Sequence, residues 1–74
     1  MDIRKISIGP DYKSGAMHYI VGQKVLSDTH TIHLIKHDLE KQSFKIYIQE
    51  GDVVILWKEF TAAIPVSIEY NINF

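Results

Sequence analysis

The residues best suited to chemistry are four histidines that lie close together in the sequence: His18, His30, His33 and His37. Neutral imidazole binds zinc, and a zinc site takes three or four ligands, so Asp28 or Asp38 could complete a set. None of the usual zinc spacings is present, however. On a strand, His33 and His37 share one face and His30 points to the other, whereas a helix would place all three together. We therefore expect surface or hydrogen-bonded histidines, with no metal ligand and no cofactor.

A polar segment between Gly9 and Gly15 is the second place where chemistry could occur. Glycines at both ends and polar residues between them are typical of an ordered surface loop. No G-x-S-x-G frame surrounds the serine of this loop, and no phosphate-binding glycine pattern precedes it. We therefore predict no catalytic residue, and an enzyme is the less favoured interpretation. The candidate ligand-binding residues of the loop are Asp11, Tyr12, Lys13 and Ser14.

The elements that would position these residues are predicted to be strands. The sequence indicates an all-β or strand-dominated α+β domain, residues 1–74, with five or six short antiparallel strands in a meander, sheet or small barrel completed by oligomerisation. Gly9 and Pro10 end the first strand, and Gly22 interrupts the second with a bulge or a close backbone approach. The first three strands are predicted at Ile3–Ile8, at Met17–Val21 continued by Lys24–Leu26, and at His30–Lys36, followed by a turn at 37–43.

Residues 28–42 leave an alternative open. Ser27 or Asp28 could cap a helix in which Ile32, Ile35 and Leu39 recur at helical spacing. The segment is also rich in β-branched residues, which favour the extended state. We predict a strand and a turn, with a helix as the alternative.

The middle of the chain predicts a hairpin around a two-residue turn, Glu50–Gly51. This turn would pair Gln49 with Asp52. The apolar run that follows needs cover on both faces, and one short sheet cannot supply that cover. The expected cross-strand pairs are Ile48 with Val53, Ile46 with Ile55 and Phe44 with Trp57.

Alternating apolar residues from Val66 to Phe74 predict a last strand with one apolar face. A 74-residue chain buries only about 60% of its unfolded surface, so additional stabilisation from a partner is expected. We predict a homo-oligomer, because an apolar edge strand left open invites uncontrolled pairing. The candidate interface residues are Val54, Leu56, Tyr70, Ile72 and Phe74.

The charge and the composition give no support to nucleic-acid binding, to membrane association or to secretion. Eight basic and nine acidic residues give a net charge of −1, which provides no electrostatic attraction to nucleic acid or to anionic lipid. No apolar stretch is long enough to span a membrane, and the first residues lack the core of a signal peptide. The chain has no cysteine, which fits a cytoplasmic or otherwise reducing location.

One stretch carries a resemblance. The run from Ile6 to Gln23, Ile-Ser-Ile-Gly-Pro-Asp-Tyr-Lys-Ser-Gly-Ala-Met-His-Tyr-Ile-Val-Gly-Gln, with Thr31–Ile35 after it, resembles small uncharacterised proteins of marine bacteriophages that infect cyanobacteria. The resemblance implies a viral protein in the host bacterial cytoplasm and brings no activity with it.

Three functions remain open from the sequence. We expect a small homo-oligomeric binding or regulatory protein that contacts itself and a host or phage protein. One alternative is a small-ligand-binding protein or enzyme, with a site at the subunit interface formed by the loop at residues 9–15 and histidines. The other is an accessory protein of the virion.

Overall fold

The computed structural model describes residues 2–9, 17–61 and 66–71, and its regular elements are antiparallel strands. The all-β prediction is therefore confirmed, and residues 28–42 form strand and turn rather than a helix. The predicted loop at 9–15, apart from Gly9, and the residues after Asn71 lie outside the described ranges. The strands are β1 Ile3–Ile8, β2 Met17–Ile20, β3 Lys24–Val25, β4 His30–Asp38, β5 Ser43–Glu50, β6 Val53–Thr61 and β7 Val66–Tyr70.

The strands form two sheets that are joined at a bend. One sheet has the order β2-β1-β7 and the other has the order β3-β4-β5-β6. The bend lies at Gly22, whose φ of +97° suits glycine, and it divides the predicted second strand into β2 and β3. Val21 N–H donates to Arg4 of β1 and Gly22 N–H donates to Ile32 of β4, both at 2.9 Å. The chain thus leaves one sheet and enters the other within two residues.

The core between the sheets consists mainly of isoleucine. β-branched side chains favour the extended backbone and pack well on a pleated surface, which explains why these segments form strands. Tyr19 and Phe44 are the two aromatic members of the buried set. The buried isoleucines are Ile3, Ile6 and Ile8 of β1, Ile32 and Ile35 of β4, and Ile46 and Ile48 of β5.

In the described part of the chain, three strands carry a bulge that shifts the alternation of their side chains. The extra residues are Arg4 in β1, His33 in β4 and Trp57 in β6, since each is skipped in the register of its strand pair. A bulge changes the spacing of same-face residues from two to three. It therefore explains the spacing of Ile32 and Ile35, which also suggested a helix.

The hairpin of β5 and β6 differs from the predicted one. Its turn is Gly51–Asp52, and Glu50 pairs with Val53. In this turn only Gly51 has a positive φ, +58°, which fits a type II′ turn with glycine at the first central position. The predicted pairs were wrong by two positions before the bulge, where Ile48 pairs with Ile55. They were wrong by three positions after it, where Ile46 pairs with Lys58 and Phe44 with Phe60.

Two four-residue turns close the remaining hairpins of the second sheet. Leu26, Ser27 and Asp28, between β3 and β4, all have positive φ values of 54–67°. Between β4 and β5, the Asp38 carboxylate accepts hydrogen bonds from the backbone N–H groups of Glu40 and Lys41, at 3.1 and 3.2 Å. The β4–β5 turn occupies 39–42, shorter than the predicted 37–43, because β4 continues to Asp38.

Candidate interaction surface

The first half of β6 is apolar and exposed. Its four consecutive residues keep large fractions of their surface accessible: Val53 62%, Val54 44%, Ile55 46% and Leu56 49%. We call residues 53–56 the β6 edge strip. Single exposed apolar residues are ordinary, but a contiguous run of this kind marks an interaction site or an aggregation hazard.

Among the residues that the structure describes, no strand pairs with the outer edge of the strip, so its backbone is also open there. β6 is the end strand of its sheet, and β5 is its neighbour there. Glu50 and Val53 flank the two-residue turn and form its hydrogen-bonded pair, and such pairs alternate along antiparallel strands. Val53 and Ile55 therefore direct their N–H and C=O groups toward β5, whereas Val54 and Leu56 direct theirs to the open edge.

The second half of β6 is anchored to the core. The Tyr19 ring on β2 lies 5.9 Å from the Trp57 ring and 5.6 Å from the Phe60 ring, measured between centroids. Burial among these groups raises the pKa of the Tyr19 phenol. The bulge at Trp57 thus separates an anchored half of β6 from a half that extends past the core.

The predicted interface residues fall on two different strands. Val54 and Leu56 lie together on the outer face of β6, while the exposed Tyr70 lies on β7, the end strand of the other sheet. Ile72 and Phe74 are outside the described residues. Val53 and Ile55 were not predicted as interface residues, because the expected register paired both with buried residues of β5. The signal for them was the unbroken apolar run beside a turn.

The four histidines have separate environments. His18 Nδ1 lies 2.8 Å from Ser7 Oγ on β1. His30 Nδ1 lies 2.7 Å from Thr29 Oγ1 and 3.8 Å from a Glu50 carboxylate oxygen. These contacts leave His18 and His30 on different sheets, each with its own hydrogen-bonding group.

His33 and His37 do not share a face, in contrast to the prediction for an uninterrupted strand. His33 is the exposed bulge residue, whereas the His37 ring stacks on Phe44 with centroids 4.2 Å apart. Among residues 2–9, 17–61 and 66–71, no group of three or more His, Cys, Asp or Glu residues could hold a metal ion. The candidate ligand residues Asp11 to Ser14 are outside these ranges, so the structure does not place them beside any histidine.

An open cleft of about 410 Å³ lies between the two sheets. Asp2, just before β1, and Tyr70 of β7 line one side, and Lys36, His37 and Leu39 contribute from β4 and the turn after it. The cleft therefore combines an acid, a base, a phenol and an imidazole with apolar walls. Such a mixture can orient a small polar ligand but includes no activated nucleophile.

Comparison of the chain with family models, curated proteins and solved structures finds no match. Within the part of the chain that the structure describes, no helix is long and apolar enough to cross a membrane.

Proposed function

We propose that this protein is a small homo-oligomeric binding or regulatory protein without catalytic activity, which acts through protein–protein contacts. The observation that supports this function is the β6 edge strip, where four exposed apolar side chains coincide with an open strand edge. A strand edge of this kind binds another strand through backbone hydrogen bonds and takes specificity from the alternating side chains.

Covering the strip would add substantially to the free energy of unfolding of a domain of this size. Full burial of a Val, Leu or Ile side chain contributes about 1.5–3 kcal/mol. Since roughly half of each of the four side chains is exposed, covering them would contribute about 3–6 kcal/mol per subunit. A small domain has a total stability of about 5–15 kcal/mol, so association would be a substantial part of its stability.

The mass of the protein in solution tests this function. Light scattering across a micromolar dilution series should give a mass that is a multiple of 8.5 kDa and falls on dilution. Thermal stability should fall over the same concentration range. A uniform mass of 8.5 kDa throughout would contradict the proposal.

The cleft beside His37 favours a second candidate function, the binding of a small ligand. Native mass spectrometry of freshly purified protein should then show a discrete added mass. His37→Ala should lose this mass, while His33→Ala, an exposed histidine outside the cleft, should keep it. Protein without added mass would argue against this function.

We propose a phage origin and a bacterial host cytoplasm as the cellular setting, on the basis of the resemblance of Ile6–Gln23 and the absence of cysteine. The partner in addition to the protein itself would be a host or phage protein. Fractionation of infected cells tests this setting. Recovery in the soluble host fraction would support it, and recovery with purified particles would favour an accessory protein of the virion.

A further inference from the structure

We propose that two copies of the chain pair through their β6 edge strips, antiparallel and around a twofold axis that passes beside Ile55. This inference rests on the proposed homo-oligomer and specifies its interface. The occupant of the strip is a second copy because the strip is self-complementary, as its hydrogen-bonding groups, apolar side chains and flanking charges show in turn.

The hydrogen-bonding groups restrict the possible registers. In an antiparallel pair, the backbone N–H and C=O groups of two opposite residues either both point toward the other strand or both point away from it. The backbone N–H and C=O groups of Val54 and Leu56 point to the open edge. Those of Ile55 point to β5, where Ile55 pairs with Ile48. A twofold axis must therefore pass beside a residue, not between two residues. The registers centred on Val54, Ile55 and Leu56 satisfy this condition.

The side chains select the register centred on Ile55. It places Val54 opposite the partner's Leu56 on the outer face, and Val53 opposite the partner's Trp57 on the other face. The register centred on Val54 would place Asp52 opposite the partner's Leu56. The register centred on Leu56 would place Val54 opposite the partner's Glu59, because the extra residue Trp57 takes no position of its own. Both of these alternatives set a carboxylate against an apolar side chain, which is unfavourable.

The flanking charges agree with this choice. Asp52 precedes the strip and Lys58 follows it, so an antiparallel pair brings Asp52 of one copy to the end of the strip where the partner's Trp57 and Lys58 form the bulge. The Lys58 ammonium lies 4.9 Å from the Trp57 ring centroid, which holds a positive charge beside the end of the strip. Opposite charges at both ends favour the antiparallel arrangement.

Because the chain has no cysteine, a single introduced cysteine can report this register. Ile55 faces its copy as a non-hydrogen-bonded pair, for which the Cα atoms lie about 4.5 Å apart, within the range of a disulfide. In the same register, two copies of residue 54 are offset by two positions, which separates their Cα atoms by about 8 Å. Two copies of residue 56 are equally far apart.

The experiment compares Ile55→Cys, Val54→Cys and Leu56→Cys, each oxidised at the same low micromolar concentration and analysed by non-reducing electrophoresis. Ile55→Cys should form the disulfide-linked dimer at least about tenfold faster than the two controls, because pairing raises the effective concentration of its thiol. Circular dichroism of the reduced variants confirms that each is folded.

The other outcomes show whether the register, the β6 pairing or the homo-oligomer itself is wrong. Faster linkage of Val54→Cys or Leu56→Cys would overturn the Ile55-centred register. Equal and slow linkage of all three, with an oligomeric mass for the reduced proteins, would overturn the β6 pairing and leave the proposed homo-oligomer in place. A monomeric mass for the wild-type protein would overturn both.

Discussion

The Trp57 indole meets the Tyr19 ring edge-on, with centroids 5.9 Å apart and ring planes at 80°. This contact joins β6 of one sheet to β2 of the other. It also lies at the bulge of β6, where the strand changes from a core element to an exposed edge. The position of the β6 edge strip therefore depends on a contact outside the strip.

Trp57→Ala should destabilise the fold by about 2–4 kcal/mol, because the side chain is partly buried and supports Tyr19. Leu56→Ala should cost less than about 1 kcal/mol when protein is dilute enough to be monomeric, since Leu56 is exposed. Urea unfolding at low protein concentration measures both changes. Equal losses for the two variants would contradict the division of β6 at the bulge.

Gly51→Ala should cost more than about 1 kcal/mol because of the positive φ at this position. A Cβ there would meet nothing within 4 Å, so backbone conformation and not crowding causes the loss. Gly51→Val should behave in the same way. Asp52→Ala changes the neighbouring turn residue, whose φ is not positive, and serves as the control. Thermal unfolding should place the two Gly51 variants well below this control.

Leu26→Gly should stabilise the protein by about 0.5–1 kcal/mol, since a leucine with φ of 54° is strained and glycine is not. The matched control is Leu39→Gly, in the other four-residue turn. Leu39 is also exposed but has no positive φ, so glycine should destabilise there by about 0.5–1 kcal/mol. Melting temperatures that shift in the same direction would show that the β3–β4 turn is not strained.

The sequence was sufficient to predict the strands, because their apolar residues are β-branched and their ends carry turn residues. It was insufficient for the register wherever a bulge occurs. Ile3 and Ile6, Ile32 and Ile35, and the pair Trp57 and Phe60 are each three residues apart and face the core. Strict alternation assigns one member of each pair to the wrong face. A spacing of three within a β-branched segment is the signal that could have indicated these bulges.

The candidate surface could be predicted only in part. Val54 and Leu56 were identified because one sheet cannot cover both faces of the run that contains them. The exposure of Val53 and Ile55 could not be predicted in the same way, since it depends on β6 being an end strand. Strand order is set by long-range pairing, such as that of β1 with β7, and local patterns do not encode it.

Asp38→Asn should reduce the loss of stability that acid causes. The backbone N–H of Lys41 lowers the pKa of the Asp38 carboxyl, and the N–H of Glu40 and the charges of Lys45 and Lys41 act in the same direction. A lowered pKa in the folded state gives stability that is present above the unfolded pKa, about 3.9, and is lost as pH falls through the folded value. Urea unfolding from pH 6 down to about pH 2 should therefore give a shallower decline for Asp38→Asn than for wild type. Glu40→Gln removes a charge of the same sign two residues away and should leave the decline closer to that of wild type.

A lysine on β6 should weaken the oligomer more than a lysine on β7. Leu56→Lys places a charge on the outer face of the β6 edge strip, where it would lie opposite an apolar residue of the second copy and would have to be desolvated. Tyr70→Lys makes a similar change at an exposed position of the other end strand. Both side chains are exposed, so both variants should keep the circular dichroism spectrum of the folded chain. Sedimentation at micromolar concentration should then show dissociation for Leu56→Lys and the wild-type mass for Tyr70→Lys. The reverse pattern would show that the interface lies on β7. Dissociation of both variants would indicate head-to-tail pairing of β6 with the partner's β7.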